Sequence, residues 1–117
     1  MTNRVFIVEL PRTSLDVSTA KQFGDITYVF ETSMRRCSVF KHDEFGNSVL
    51  EQLSAMNFDP ISDYICAVGA MLPVMIALVA IAQTYDEFNV LLFNSVNGAY
   101  VNKRFNKGDW VIERTQS

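Results

Sequence analysis

Between Asp63 and Asp86 the chain runs through 22 residues without a charged side chain. A run of that length has to be placed either in a membrane or in a core, so it constrains the fold more than any other segment. A helical span needs about 20 apolar residues, and residues 64–82 (YICAVGAMLPVMIALVAIA) form a run of 19. Three features argue against a span. Gly69 and Pro73 interrupt the run. Acidic residues flank both ends, and no Lys or Arg sets an orientation. The run also divides into two pieces. Residues 64–68 read as a strand, and residues 74–84 read as a helix. A buried strand followed by a buried helix, apolar on every side, accounts for the same residues.

Charge elsewhere is distributed unevenly. Residues 1–58 hold six bases and seven acids. Residues 59–99 hold only the acids Asp59, Asp63, Asp86 and Glu87, whereas residues 100–117 hold four bases and two acids. The formal net charge is -3, which excludes a strongly basic nucleic-acid binder. Hydrophobic residues at 49% and aromatics at 12% exclude a disordered regulator. A length of 117 residues fits a single domain over 1–117. No signal peptide is expected, because Arg4 is followed by only four apolar residues before Glu9. Cys37 and Cys66 are too few for a disulfide framework and are read as plain thiols. A reducing, cytoplasmic setting fits them.

The local patterns predict the elements in order. A first strand covers 4–9 and a short helix 15–23, with Gly24 after it. A second strand covers 25–31. Residues 32–45 read as a charged, solvent-exposed loop containing Arg35, Arg36 and His42. Ser48 with Glu51 matches a capping box, which starts a helix over 49–56. Asn57, Phe58, Asp59 and Pro60 break it. A third strand over 64–68, a helix from Pro73 to about Tyr85 and a fourth strand over 88–93 form a β-α-β unit. Asn97-Gly98 predicts a turn into a strand over 99–105, and a last strand covers 110–113. The fold class is α/β: a single-domain mixed sheet with a central β-α-β unit, an antiparallel C-terminal meander and helices on both faces.

Gly69, Ala70 and Met71, between a buried strand and a helix, form a candidate ligand-binding turn, with Asp63 at the start of that strand. The lone glycine lacks a dinucleotide fingerprint and has no phosphate-binding lysine. Asp59 and Asp63 bracket Pro60, and a turn-forming role competes with any paired-carboxylate role. His42 has no nucleophile beside it, so no catalytic residue is assigned, and no metal site or cofactor is expected. Lys103, Arg104 and Lys107 lie near aromatics, but strand alternation splits them between faces, so nucleic acid is not the expected partner. Phe93, Tyr100, Phe105 and Trp110 are more aromatics than a small C-terminal sheet needs. With Arg35 and Arg36 they are the candidate interface, and self-association as a dimer is expected, through the C-terminal sheet or through one face of the apolar helix.

Phe58-Asp59-Pro60, residues 63–69, residues 89–93 and Tyr100-Val101 together resemble small uncharacterised proteins of tailed bacteriophages. The resemblance covers residues 58–102. It transfers no catalytic residue. It implies expression inside an infected bacterium, with a host protein or a signalling nucleotide as partner. The functional reading is a non-enzymatic interaction protein acting by surface occupancy on a host protein. A small-molecule or nucleotide binder using the Gly69 turn is the alternative, and a weak nucleic-acid binder is a further one.

Overall fold

The computed structural model describes residues 3–9, 18–30, 42–69 and 71–110. Five strands form one mixed sheet: β1 (Arg4–Glu9), β2 (Asp25–Phe30), β3 (Tyr64–Cys66), β4 (Glu87–Asn94) and β5 (Ala99–Asn106). Their order across the sheet is β2-β1-β3-β4-β5, parallel throughout except for the antiparallel β4–β5 hairpin. The predicted fold class is therefore observed, including the β-α-β unit and the antiparallel C-terminal end.

Alternation along β1 sorts the core. Phe6 and Val8 point to one face, and Val5 and Ile7 to the other; all four are buried. A strand buried on both faces reads as a continuous apolar run, which is why Val5 to Val8 lie at the centre of the sheet. The first face is covered by α1 (His42–Ala55) and α2 (Met71–Thr84), which contribute Phe45, Val49, Leu53, Ala77 and Ile81 to its core. The second face is covered by a 3-10 helix, Ser18–Gln22, through Ala20. The chain steps from β1 to β2 in one direction and then back across β1 to β3. Crossovers of one hand place those two connections on opposite faces. Helical cover is thus present on both sides but is unequal, with both α-helices on the same one.

Several boundaries differ from the sequence reading. Helix α1 begins at His42 rather than at Val49, so residues 42–45 belong to a helix and not to a loop. Ser48 is no cap. It lies inside α1 and donates its hydroxyl to the Glu44 carbonyl at 3.0 Å, the usual way a mid-helix serine satisfies itself. The buried row Phe45, Val49, Leu53 at spacing four is what extends the helix. Its end is a Schellman motif: Phe58 N–H donates to Leu53 and Asn57 N–H to Ser54, with Asn57 at φ 57°. Helix α2 begins two residues before Pro73, which needs no N–H in a first turn. Trp110 closes a 3-10 turn, Lys107–Trp110, rather than opening a strand, and residues 111–113 lie outside the described residues. Helix α2 has 14 residues, about 21 Å of rise against a hydrocarbon core of about 30 Å. Among the described residues, no helix is long and apolar enough to cross a membrane.

A polar network fixes the end of the sheet where β1, β3 and β4 begin and β5 finishes. Asp63, 3% exposed, accepts from Arg4 N–H at 3.1 Å, from the Arg4 guanidinium at 3.1 Å and from Asp59 N–H at 2.8 Å. The same guanidinium donates to the carbonyls of Met56 and Asn57 at the end of α1. Asn89 on β4 donates to the carbonyls of Ile61 and Asp63, and Arg104 on β5 donates to Asn89 and to the Pro60 carbonyl. Loss of one partner from a buried pair leaves the other uncompensated. Because Arg4 keeps about a third of its side chain in water, Asp63→Ala is expected to cost about 2–3 kcal/mol, below the fully buried range. Urea unfolding checks this, and an unchanged midpoint would refute the role given to the network.

Candidate functional site

Helix α2 presents two faces of similar chemistry to different surroundings. Pro73, Ala77, Ala80 and Ile81 face inward and are buried. Met71, Met75 and Val79, spaced by four, lie along the outer side and are 76%, 55% and 55% exposed. The expectation of a helix buried all round is therefore corrected. The sheet covers one side of α2 and α1 a second, and neither reaches this row.

Beside the row runs a groove between α1 and α2, with a volume of about 380 Å³. Gly46 makes it possible. A Cβ at Gly46 would lie 3.3 Å from the Ala80 Cβ and 3.7 Å from the Ile76 side chain, so the helices cross closely there. Leu50 lines the groove from α1, and Leu72, Met75, Ile76 and Val79 line it from α2. Asp43, Asn47 and Gln83 provide its polar lining. Apolar walls with a few polar groups suit the side chains of another protein, and methionines adapt to what they touch.

The candidate ligand residues do not converge. Gly69, at φ +113°, makes the turn after β3 that an L side chain would strain. Met71 opens α2, and Ala70 between them lies outside the described residues. Asp63 sits before β3, at the opposite end of that strand from Gly69, and is held in the Arg4 network. Asp59 forms an Asx turn. The Ile61 N–H and then the Ser62 hydroxyl bond its carboxylate and hold its pKa below the ordinary value. Among the described residues, no group of three or more His, Cys, Asp or Glu side chains is placed to hold a metal ion.

The candidate interface residues also separate. Phe93 is 48% exposed, whereas Tyr100, its cross-strand neighbour at 5.2 Å between ring centroids, is buried. Phe105 is half-buried and stacks on Phe88 at 4.6 Å, as core rather than as surface. Arg35 and Arg36 lie outside the described residues. In the basic tail, Arg104 pairs with Glu87 at 2.9 Å and does not join Lys103 on one face. The sequence reading offered one face of this helix for self-association without saying which, because a helix apolar on every side gives no signal of which side is uncovered.

Residues 3–107 match the family described as Phage Pam3 gp32-like protein. The chain belongs to this family. It is thus a phage protein, and the match includes the N-terminal half that the resemblance over residues 58–102 left out. No curated protein and no solved structure matches the chain. Family membership therefore brings a phage origin and no activity, and the surfaces described above carry the functional argument.

Cys66 illustrates how closed the core is. It is fully buried, and burial pushes its thiol from 9.0 up to about 11 against an opposing hydrogen bond from Tyr100. The fold holds this proton more tightly than the unfolded chain does. Its contribution to stability is therefore complete below about pH 9 and is lost as pH rises toward about 11. In a Cys37→Ser variant, a thiol reagent at neutral pH should find no fast-reacting group, and one after denaturation. A fast native reaction would contradict the packing around Cys66.

Proposed function

We propose that this phage protein is a non-enzymatic interaction protein. It binds a host protein through the outer face of α2 and the adjoining groove, and acts by occupying that partner's surface. The observation that carries this is the row Met71, Met75 and Val79, exposed beside a groove that the described residues leave unfilled. Single exposed apolar residues are ordinary, but a row of three bordering an apolar groove is a contact surface. The infected bacterial cytoplasm is the compartment in which such a partner is met.

The test uses the full chain, wild type against Met75→Glu/Val79→Glu. Both positions are more than half exposed, so the variant keeps its fold. A carboxylate forced into an apolar contact costs enough to weaken binding tenfold or more. A host protein recovered from bacterial lysate by the wild type and lost by the double variant is the expected result. Recovery of the same proteins by both, or of none by the wild type, defeats the proposal.

A second reading rests on the strand order. The reversal at β1 and β3 makes a topological switch point, and small ligands of open α/β sheets bind outside the carboxyl ends of such strands. Gly69 stands there, at the end of β3. On this reading the protein sequesters a small nucleotide, and a nucleotide that binds the fold raises its melting temperature. A panel of mononucleotides and cyclic dinucleotides that leaves the melting temperature unchanged eliminates it.

A further inference from the structure

The β4–β5 hairpin extends beyond its neighbour. β3 pairs with β4 only at Asn89, Val90 and Leu91. Past that point Leu92 pairs with Val101, Phe93 with Tyr100 and Asn94 with Ala99, with no β3 residue beside them. Two strands without a third are marginal in water. One side of this arm is anchored, because Tyr100 packs into the cluster around Ala20 and Cys66. The rest is open: Leu92, Phe93 and Val101 are 44%, 48% and 38% exposed, and Val96 in the turn is 93% exposed. Leu92 and Val101 lie on the helix-covered face, since Phe88 and Val90 of the same alternation belong to that core. Phe93 lies on the other face. The arm thus shows apolar groups on both faces and at its tip.

We infer that the arm is the surface through which the chain associates with a second copy of itself. This inference does not depend on the α2 groove. The choice of partner follows from charge. Residues 92–102 contain no charged side chain, in a chain whose net charge is -3. A charged surface calls for a partner of opposite sign, and two acidic copies meet best where neither carries charge. What the arm offers besides apolar groups is asparagine, at 94, 97 and 102. An amide both donates and accepts, so it is complementary to its own twofold mate.

The area agrees with a weak dimer. Leu92 and Val101 on one face, with Val96 at the tip, expose roughly 300 Å² per copy, and homodimer interfaces are about two-thirds apolar, so a twofold contact on that side buries roughly 900 Å² in total, in the range of weak, concentration-dependent association.

Sedimentation equilibrium on the full chain tests the inference. Wild type should show a concentration-dependent monomer–dimer equilibrium. Val96→Asp, in a turn where it cannot disturb a core, should raise the dimer dissociation constant at least tenfold with unchanged circular dichroism, and Val101→Ser should act in the same direction. Met75→Glu/Val79→Glu should dimerise like the wild type. A wild type that stays monomeric, a Val96→Asp variant that dimerises normally, or a Met75→Glu/Val79→Glu variant that is monomeric would each overturn it. The proposal for the α2 groove is judged separately, by host-protein capture, so the two can fail independently.

Discussion

Asp63 is a carboxylate almost entirely removed from water, and such a group is tolerated only when its oxygens are paired. Here three donors fill them: the Arg4 backbone, the Arg4 guanidinium and the Asp59 backbone. The first of these helps to align β1 with β3, where Val5 pairs with Tyr64. The guanidinium also reaches the carbonyls at the end of α1, so the helix stops where the strand starts. Through Asn89 and Arg104 the same cluster takes in β4 and β5. Among the described residues, no buried side-chain polar atom lacks a partner. The N-terminal end of the sheet is therefore closed, with its polar groups committed to structure. The opposite end carries the Gly69 turn, the first turn of α2 and the hairpin arm.

Helix α2 shows how a chain can spend an apolar run on two purposes. Its inner residues are small, with Ala77 and Ala80 close to the sheet and to α1. Small residues let the layers approach, and Gly46 on α1 does the same from the other side. Close approach leaves the long side chains of Met71 and Met75 outside the packed layers. The groove is thus a consequence of tight packing beneath it.

Much of the architecture was legible because local signals agreed. The alternating run 25–31, the turn at Asn97-Gly98 and the break at Asn57 to Pro60 each coincide with an observed boundary within a residue or two. Failures came where a local rule had two readings. Ser48 with Glu51 fits a capping box, yet Phe45 continues the buried row one turn earlier, and tertiary burial outweighs a cap of about 1 kcal/mol. The aromatic tail had the same ambiguity. Composition could not distinguish Tyr100, which packs near Cys66, from its partner Phe93 on the same face, which stays half-exposed. The difference depends on how far along that face the 3-10 helix reaches, which no local pattern encodes. The site on α2 was legible only as one unspecified face of an apolar helix: helical period identifies faces, but only the layer arrangement decides which face is left open.

The energetics of the exposed residues bear on function. Buried apolar side chains are explained by stability, since removing them opens cavities. Met71, Met75, Val79 and Val96 each keep more than half of their surface in water, so the fold gains little from their apolar character. Substitution by polar residues at such positions ordinarily changes stability by less than about 0.5 kcal/mol. Their apolar character is therefore left to the contacts proposed for the α2 groove and the arm. The two groups also differ in a way that suits different occupants. The α2 groove includes Asp43 in its lining, an acidic group that a partner must match with a donor or a cation. The arm carries no charge and matches itself. On the two proposals, the groove takes a foreign chain and the arm a second copy.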